Sequence, residues 1–236
     1  MTTREETVTH GMMVMAELNS EYLGVNQMQL MECAGYGTAN QIIQRIIRQK
    51  LDRKVTIVSG PGRNGGDGFA TARHLSTQGC QVRVILIGRE TDVHDNSAKH
   101  QLASIKAMDD TIQFESIPDS AMLKPFKAGV IVDAILGTGL KGELRQPLLG
   151  AVRMINKSEG FKVAVDLPSG LDSDTGEPHT DAVKANLTIC LHKKKQGLAI
   201  TKANDYVGEL MILPVGIPEE AETYAGPGDY KILWKP

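Results

Sequence analysis

The chain has 236 residues, and its 26 Lys and Arg against 28 Asp and Glu give a formal net charge of -2. That length fits one α/β domain or two small ones, and the charge gives no sign of a sequence-independent grip on nucleic acid. No apolar run approaches the length of a membrane-spanning helix, and the first residues carry neither a signal-peptide nor a transit-peptide pattern. We therefore expect a cytoplasmic protein with no nucleic-acid or membrane partner.

Three cysteines, Cys33, Cys80 and Cys190, lie far apart in the sequence. They form no CxxC motif and no Cys/His spacing typical of a metal site. The sequence therefore predicts three small buried thiols in a reducing compartment.

Helical and strand patterns alternate along most of the chain, after a start that we expect to be flexible over about residues 1–15. In chain order the predicted elements are a helix over 25–48, a strand over 54–59, a helix over 67–78, a strand over 81–87, a helix over 94–108, a strand over 129–136, a helix over 148–155, and strands over 161–166, 187–191 and 210–213. Gly35 and Gly37 lie inside the first helix and are candidate positions for a break.

Apolar strands that alternate with helices are typical of a parallel sheet covered on both faces. The sequence therefore predicts a three-layer α/β/α Rossmann-like fold with a mainly parallel central sheet, in a single domain over residues 1–236. Three of the predicted strands end in turns rich in Gly or Ser, which begin at Gly60, Gly137 and Leu167. Because ligands bind beyond the carboxyl ends of strands in open α/β sheets, we expect these turns to converge on one crevice.

The first turn contains Gly60, Gly62 and Gly65 in the spacing GxGxxG. Such glycines let backbone N–H groups approach an anion at the start of a helix, but the pattern alone is weak. Asn64 and Asp67 lie in the same turn and have no role in the dinucleotide fingerprint. A tight turn that binds nothing is the alternative.

The dinucleotide fingerprint also requires an acidic residue at the end of the second strand, where it holds a ribose. That strand is followed here by Arg89 and Glu90. Glu90 is a candidate for the ribose contact, and Arg89 would favour a 2′-phosphate. These two residues keep a nicotinamide-cofactor site open as an interpretation.

Carboxylates end two later strands. Asp133 lies near the end of an otherwise apolar strand, where a lone buried carboxylate needs a cation, a hydrogen-bond donor or a ligand. The alternative is that amides of the turn bind it. Asp166 ends the next strand, and we predict that it is the acid/base residue because burial and neighbours can shift the pKa of a carboxyl group.

Asn64, Asp133 and Ser169 together offer only oxygen ligands, which suits a hard cation better than zinc or copper. A basic run, HKKK, follows a strand at 192–195. We interpret it as a solvated turn, from which one lysine could reach a phosphate.

Three ordered segments resemble the motifs of the NAD(P)H-hydrate epimerase family: GPGRNGGDG at 60–68, VDAILGTG at 132–139 and VDLPSGLDSDTG at 165–176. Members occur alone or as the N-terminal half of a bifunctional nicotinamide-nucleotide repair enzyme, and the likeness covers nearly the whole chain. It implies an isomerase that interconverts the R and S forms of hydrated NADH and NADPH at C6 of the ring. The glycine-rich turn would then bind a damaged dinucleotide as the substrate and not a redox cofactor.

The resemblance also implies a potassium ion held by Asn64, Asp133 and Ser169. Its substrate contacts carry over to Arg63, Asn64, Gly65, Gly66, Asp67, Gly137, Thr138, Gly139, Leu140, Lys141, Gly142, Glu143 and Asp166. Arg63 departs from the family, which usually has Asn at that position, so the preference between NADH and NADPH hydrates is left open.

A dehydratase acts on the S form in this repair. The chain has no room for a dehydratase domain, and we expect that activity on a separate polypeptide. We expect the epimerase itself to be a homodimer.

Two other functions remain open from the sequence. An NADP-dependent oxidoreductase would use the GxGxxG glycines and Arg89, but no Tyr-Lys pair or other hydride-transfer acid is placed at a strand end, and two motifs go unused. A nucleotide-binding scaffold would bind without catalysis, but the intact Asp133 and Asp166 count against it.

Overall fold

A seven-stranded parallel sheet forms the centre of the protein. The computed structural model describes residues 7–140 and 142–223. The strands of these residues are β1 (Thr7–Val8), β2 (Lys54–Ser59), β3 (Gln81–Ile87), β4 (Ile112–Ile117), β5 (Lys127–Ala134), β6 (Glu159–Val165), β7 (Leu187–Leu191), β8 (Lys194–Lys195) and β9 (Glu209–Leu213). The sheet has the order β4-β3-β2-β5-β6-β7-β9, and each neighbouring pair is parallel. β1 and β8 form a separate parallel pair.

Helices cover both faces of the sheet. They are α1 (His10–Tyr22), α2 (Gln27–Gln49), α3 (Arg63–Thr77), α4 (Asn96–Lys106), α5 (Leu148–Lys157), α6 (Asn204–Val207) and α7 (Glu220–Thr223). Ile57 of β2 packs in the apolar cluster that includes α2, α3 and α4, whereas the next residue, Val58, packs in the cluster that includes α5. This alternation places two helical layers around one sheet. The predicted three-layer α/β/α fold with a parallel sheet is confirmed. Within residues 7–140 and 142–223, no helix has the length and apolar character needed to span a membrane.

The strand patterns locate most of the sheet correctly. The strands predicted over 54–59, 81–87 and 187–191 have the same bounds in the structure. The prediction missed β4, which lies at the edge of the sheet. Its sequence, IQFESI, buries only its first and last residues, so it lacks the apolar run that marks the inner strands.

Helix α2 is continuous, so the predicted break at Gly35 and Gly37 is wrong. Both glycines serve packing. A Cβ on Gly35 would lie 2.3 Å from the Cβ of Ala70 on α3, and one on Gly37 would lie 2.7 Å from the side chain of Leu213. The absence of side chains lets α3 and β9 approach α2 closely.

Helix α3 begins at Arg63 and not at residue 67, so residues predicted as a loop form its first turn. Two glycines, one before this turn and one within it, lie very close to backbone atoms. A Cβ added to Gly60 would lie 2.0 Å from the carbonyl oxygen of Ile135, and a Cβ added to Gly65 would lie 1.8 Å from the carbonyl oxygen of Gly60. The glycine density therefore also lets the helix start pack against the segment that follows β5.

The N-terminal segment differs from the flexible start predicted over about residues 1–15. Residues 1–6 lie outside the described residues, but β1 and α1 begin directly after them. Thr9 caps α1, since its hydroxyl accepts a hydrogen bond from the Met12 N–H at 3.2 Å. Asn19 of the same helix is buried and donates to the Ala221 carbonyl at 3.0 Å. The bond from Asn19 joins residues far apart in the chain, which explains why local composition missed it.

Two of the three cysteines are buried, as predicted. Cys80 and Cys190 are buried, but Cys33 is exposed on α2, so the prediction was wrong for that residue. All three are free thiols.

Candidate active site

A cavity of about 410 Å³ opens at the carboxyl ends of β2, β5, β6 and β7, a volume typical of small-molecule pockets. Its walls come from α1, α2, the first turn of α3, the segment 135–140, and single residues near the ends of β6 and β7. The first two turns that the sequence predicted to converge line this cavity, and Asp166, which directly precedes the third, joins them.

The structure brings eight of the predicted substrate-binding residues to this cavity: Arg63, Asn64, Asp67, Gly137, Thr138, Gly139, Leu140 and Asp166. Gly65 and Gly66 are buried within the first turn of α3 and do not line it. Gly142 and Glu143 are exposed and also do not line it. Lys141 lies outside the described residues.

Asn64 has a buried amide with no hydrogen-bond partner among the described residues. Asn64 is 7% exposed, and neither its Oδ1 nor its Nδ2 has a hydrogen-bond partner among the described residues. A Cβ on Gly137 would lie 3.5 Å from the Cβ of Asn64 and 3.3 Å from Oδ2 of Asp166, so these residues share one corner. Unpaired buried amides are rare because each costs free energy, which makes Asn64 a candidate ligand-binding group.

Asp67 is buried on the same wall, and no described residue donates a hydrogen bond to its carboxyl group. Burial raises the pKa of Asp67 well above its ordinary value, and the negative charges of Asp166, Glu17 and Asp95 raise it further. The protonated form of Asp67 is therefore favoured, and it can donate a proton or a hydrogen bond into the cavity.

Arg63 crosses the mouth of the cavity. Its Nη1 lies 2.9 Å from Oε2 of Glu17 on α1, and its Nε lies 3.3 Å from Oδ2 of Asp95 at the start of α4. Burial raises the pKa of Glu17 in spite of the Arg63 charge, which lowers it. Arg63 is exposed, so its guanidinium can also reach a bound anion.

Asp133 and Ser169 bind each other beneath the cavity. The Ser169 N–H donates to Oδ2 of Asp133 at 2.8 Å, and its hydroxyl donates to Oδ1 at 2.6 Å. The Ile135 N–H adds a bond to Oδ1 at 3.3 Å. Burial raises the pKa of Asp133 to about 6, although the bonds from Ser169 and Ile135 lower it. The prediction that amides of the turn bind Asp133 is therefore confirmed. Among the described residues no cationic side chain pairs with this carboxylate, and its role as a cation ligand stays a prediction.

Asp166 is held in an unusual backbone conformation beside a buried lysine. Its φ is 69°, in the left-handed region that side chains other than Gly seldom adopt. Oδ1 accepts from Lys195 Nζ at 2.5 Å and from the Leu191 N–H at 3.3 Å. Oδ2 receives no hydrogen bond from the described residues. One carboxylate oxygen is therefore fixed by the protein, and the other is available to a ligand in the cavity.

The interpretation of 192–195 as a solvated basic turn is wrong for Lys195, whose side chain is 1% exposed. β8 carries this residue, and Lys195 pairs with Val8 of β1. Burial alone would lower the pKa of the ammonium, but the Asp166 carboxylate raises it above its ordinary value. No local pattern separates Lys195 from its lysine neighbours, because the strand that pairs with it comes from the N-terminal segment.

Arg89 and Glu90 do not line the cavity. Glu90 instead pairs with Lys106 of α4 at 2.5 Å. The acidic residue that a dinucleotide fingerprint requires is therefore absent from the cavity, within the part of the chain that the structure describes, which weakens the oxidoreductase interpretation.

A parallel α/β sheet with a cavity at the carboxyl ends of its strands, beside a glycine-rich helix start, defines a Rossmann-like ligand-binding protein. Residues 27–197 match the family described as YjeF-related protein N-terminus. That match covers more than half of the chain, and the chain belongs to this family.

Named relatives agree with the family. The chain is 44% identical over 233 residues to the "Bifunctional NAD(P)H-hydrate repair enzyme Nnr" of Pyrobaculum aerophilum, covering 97% of this chain and 45% of the relative. It is 36% identical over 223 residues to the "NAD(P)H-hydrate epimerase" of Nitrosopumilus maritimus, covering 91% of this chain and 97% of the relative. The chain thus spans less than half the length of the bifunctional relative and nearly all of the epimerase.

The crystal structure of yeast YNL200c has a similar fold. Its TM-score is 0.71 at 27% identity, and the alignment covers 88% of this chain and 87% of the yeast chain.

Proposed function

We propose that the protein is an NAD(P)H-hydrate epimerase, an isomerase that interconverts the R and S forms of hydrated NADH and NADPH. One observation carries the proposal: segments 60–68, 132–139 and 165–176 all supply residues to a single cavity, with the free carboxylate oxygen of Asp166 at its wall. Membership of the family and the names of its relatives support the same activity.

The chemistry at C6 requires one carbon–oxygen bond to break and another to form. C6 is bonded to the ring nitrogen, whose lone pair can expel the hydroxyl group as water once a proton reaches that oxygen. The result is a planar iminium-like carbon. Water then adds to the opposite face and loses a proton, so protons balance and no electron is transferred to or from a cofactor.

Two carboxyl groups at the cavity are suited to move these protons. Asp166 lies against the Lys195 ammonium and is the acid/base residue that takes the proton from the incoming water. Asp67 receives no hydrogen bond from the described residues, and burial raises its pKa well above the ordinary value, so it is suited to protonate the departing oxygen. In the reverse direction the two roles exchange.

A potassium ion fits the donor set of Asn64, Asp133 and Ser169. The fit rests on the unpaired buried amide of Asn64 and on the buried carboxylate of Asp133, for which no described residue supplies a counter-charge. Oxygen donors of this kind suit a hard cation. A bound potassium ion would supply positive charge near the glycine-rich start of α3, which carries Asn64.

A direct assay tests the activity. The purified protein is incubated with R-hydrated NADH or NADPH in potassium buffer, and the two epimers are separated by chromatography. Interconversion well above the spontaneous rate is expected. If the protein instead binds the hydrate without interconverting it, it is a nucleotide-binding scaffold, and if it reduces or oxidises a second substrate, it is an oxidoreductase. The separate dehydratase, the homodimer and the cytoplasmic location stay predictions.

A further inference from the structure

Lys195 lines the cavity and is among the largest fully buried side chains of the described residues. Nζ donates to Oδ1 of Asp166 at 2.5 Å and to the Leu191 carbonyl at 2.6 Å. Two of the three N–H bonds of the ammonium therefore have protein acceptors, and its side chain, which is 1% exposed, offers almost no surface to a substrate.

The position of Lys195 is fixed by elements on both sides of it. Its strand, β8, pairs with β1, and the preceding turn is anchored by the bond from the His192 N–H to the Leu213 carbonyl at 2.7 Å. A buried ammonium is retained only where partners compensate the loss of water. Among the described residues its acidic partner is Asp166, so the arrangement holds the ammonium against that carboxylate.

Asp166 needs such support because its backbone is in the left-handed region. Its own hydrogen bonds account for one carboxylate oxygen only, since Oδ1 accepts from Lys195 and Leu191. Fixing Oδ1 turns Oδ2 toward the corner that Gly137 leaves open. A side chain with one oxygen anchored loses rotational freedom before substrate binds, which is how an active site preorganises a catalytic group.

We propose that Lys195 is a positioning residue for the epimerisation: it acts through Asp166, whose carboxylate it holds with Oδ2 toward the cavity, and it does not touch the substrate. The inference rests on the proposed function, since it assigns Asp166 the proton transfer.

The test is a double-mutant cycle with Lys195→Met and Asp166→Asn, measured as kcat and KM for the R-hydrate. Removing Lys195 alone should lower kcat by at least about a hundredfold, with KM within about threefold, because only the placement of the catalytic group is lost. In the Asp166→Asn background, the second substitution should change kcat by less than about threefold, since residues that act as one unit are not additive. Lys194→Met, which removes the same charge from the adjacent residue of β8, is the matched control and should keep wild-type kinetics.

A small cation gives an independent measurement. Propylammonium added to Lys195→Met should restore part of kcat and leave the wild type unchanged. If Lys195→Met does not fold, the double variant, which buries neither charge, is compared with Asp166→Asn alone.

The outcomes separate the inference from the proposed function. A wild type that does not interconvert the epimers refutes the function. An active wild type, with Lys195→Met retaining its kcat or with the same loss in both backgrounds, refutes the positioning role. A rise in KM alone would instead assign Lys195 to substrate binding and would also overturn the proposal.

Discussion

The two walls of the cavity differ in how completely their polar groups are paired. On the wall formed by the ends of β6 and β7, Oδ1 of Asp166 accepts hydrogen bonds from the Lys195 ammonium and the Leu191 N–H, and Oδ2 receives none from the described residues. On the wall formed by α3, the amide of Asn64 is unpaired and Asp67 receives no hydrogen bond from the described residues. Folding therefore fixes the carboxylate of the first wall through one of its two oxygens, whereas the polar side chains of the second wall are left for a ligand or an ion to pair.

The largest effect is expected at Asp166, on the wall formed by the ends of β6 and β7. Asp166→Asn keeps the shape of the side chain and removes its titratable proton, so turnover should fall by roughly 10²–10⁴ while substrate still binds. Kinetics and direct binding of the hydrate measure the two quantities separately. Asp181→Asn, which alters an exposed partner of Arg153, is the control. If Asp166→Asn turned over at nearly the wild-type rate, Asp166 would not be the acid/base residue, and Asp67 or Asp133 would take its place as the candidate.

On the wall formed by α3, which carries Asn64, a bound potassium ion should stabilise the fold. At a hundredfold excess over Kd, ligand binding adds about 2.7 kcal/mol, or roughly 5–10 °C in Tm for a chain of this size. Thermal melts in potassium and in tetramethylammonium measure the shift, which Asn64→Ala should reduce sharply. Asn40→Ala, an amide on α2 that bonds Gln78, should leave it unchanged. Equal melting in both salts for the wild type would argue strongly against a monovalent-cation site.

In the ligand-free protein, the buried carboxyl group of Asp67 should lower the free energy of unfolding near neutral pH. Its folded-state pKa is raised by burial, so the fold is most stable below the unfolded pKa, where the carboxyl group is protonated in both states. Stability is lost as pH rises from there through the folded pKa. Asp67→Asn cannot ionise and should therefore raise Tm by a few degrees near pH 7.5, at roughly 2–4 °C per kcal/mol.

The same variant gives its own control. At pH 4 and below, Asp67→Asn and the wild type should melt at nearly the same temperature. A variant that is less stable at pH 7.5 would show that Asp67 is paired in solution, and the contrast between the two walls would then fail.

The smallest effect concerns the mouth of the cavity. Glu17→Gln weakens a partly exposed ion pair, a change of about 0.2–1 kcal/mol, and frees Arg63 for a phosphate. KM should fall by at most about fivefold, and comparison of NADH and NADPH hydrates shows whether the 2′-phosphate is involved. In an Arg63→Ala background the Glu17 substitution should have no effect on KM, and an equal effect there would exclude Arg63 as its cause.

Most of the fold could be predicted because short segments of the sequence specify its strands and helices. β-branched runs such as 54–59 and 81–87 specify strands by themselves, and the turns rich in Gly or Ser that follow β2, β5 and β6 mark the strand ends that meet. The start of α3 was misplaced because a glycine-rich segment looks like a loop. Its close approaches to Ile135 and Gly60 are visible only in three dimensions.

The site could be predicted in part for the same reason. Asn64, Asp67 and Asp166 lie on motifs, and the structure brings them to one cavity. Lys195 and Glu17 lie on no motif, and their place depends on β1 and α1, which join the rest of the molecule through long-range contacts. Sequence periodicity carries no information about such pairings.

The most direct test of the account follows the oxygen atom. The proposed chemistry breaks the C6–oxygen bond and adds a new water from the opposite face. The R-hydrate is converted in water labelled with oxygen-18, and the S-hydrate is analysed by mass spectrometry at short times, with an enzyme-free sample as the control. The account predicts one labelled oxygen in each S-hydrate molecule formed by the enzyme, and enzymatic epimerisation that leaves the original oxygen in place would contradict it.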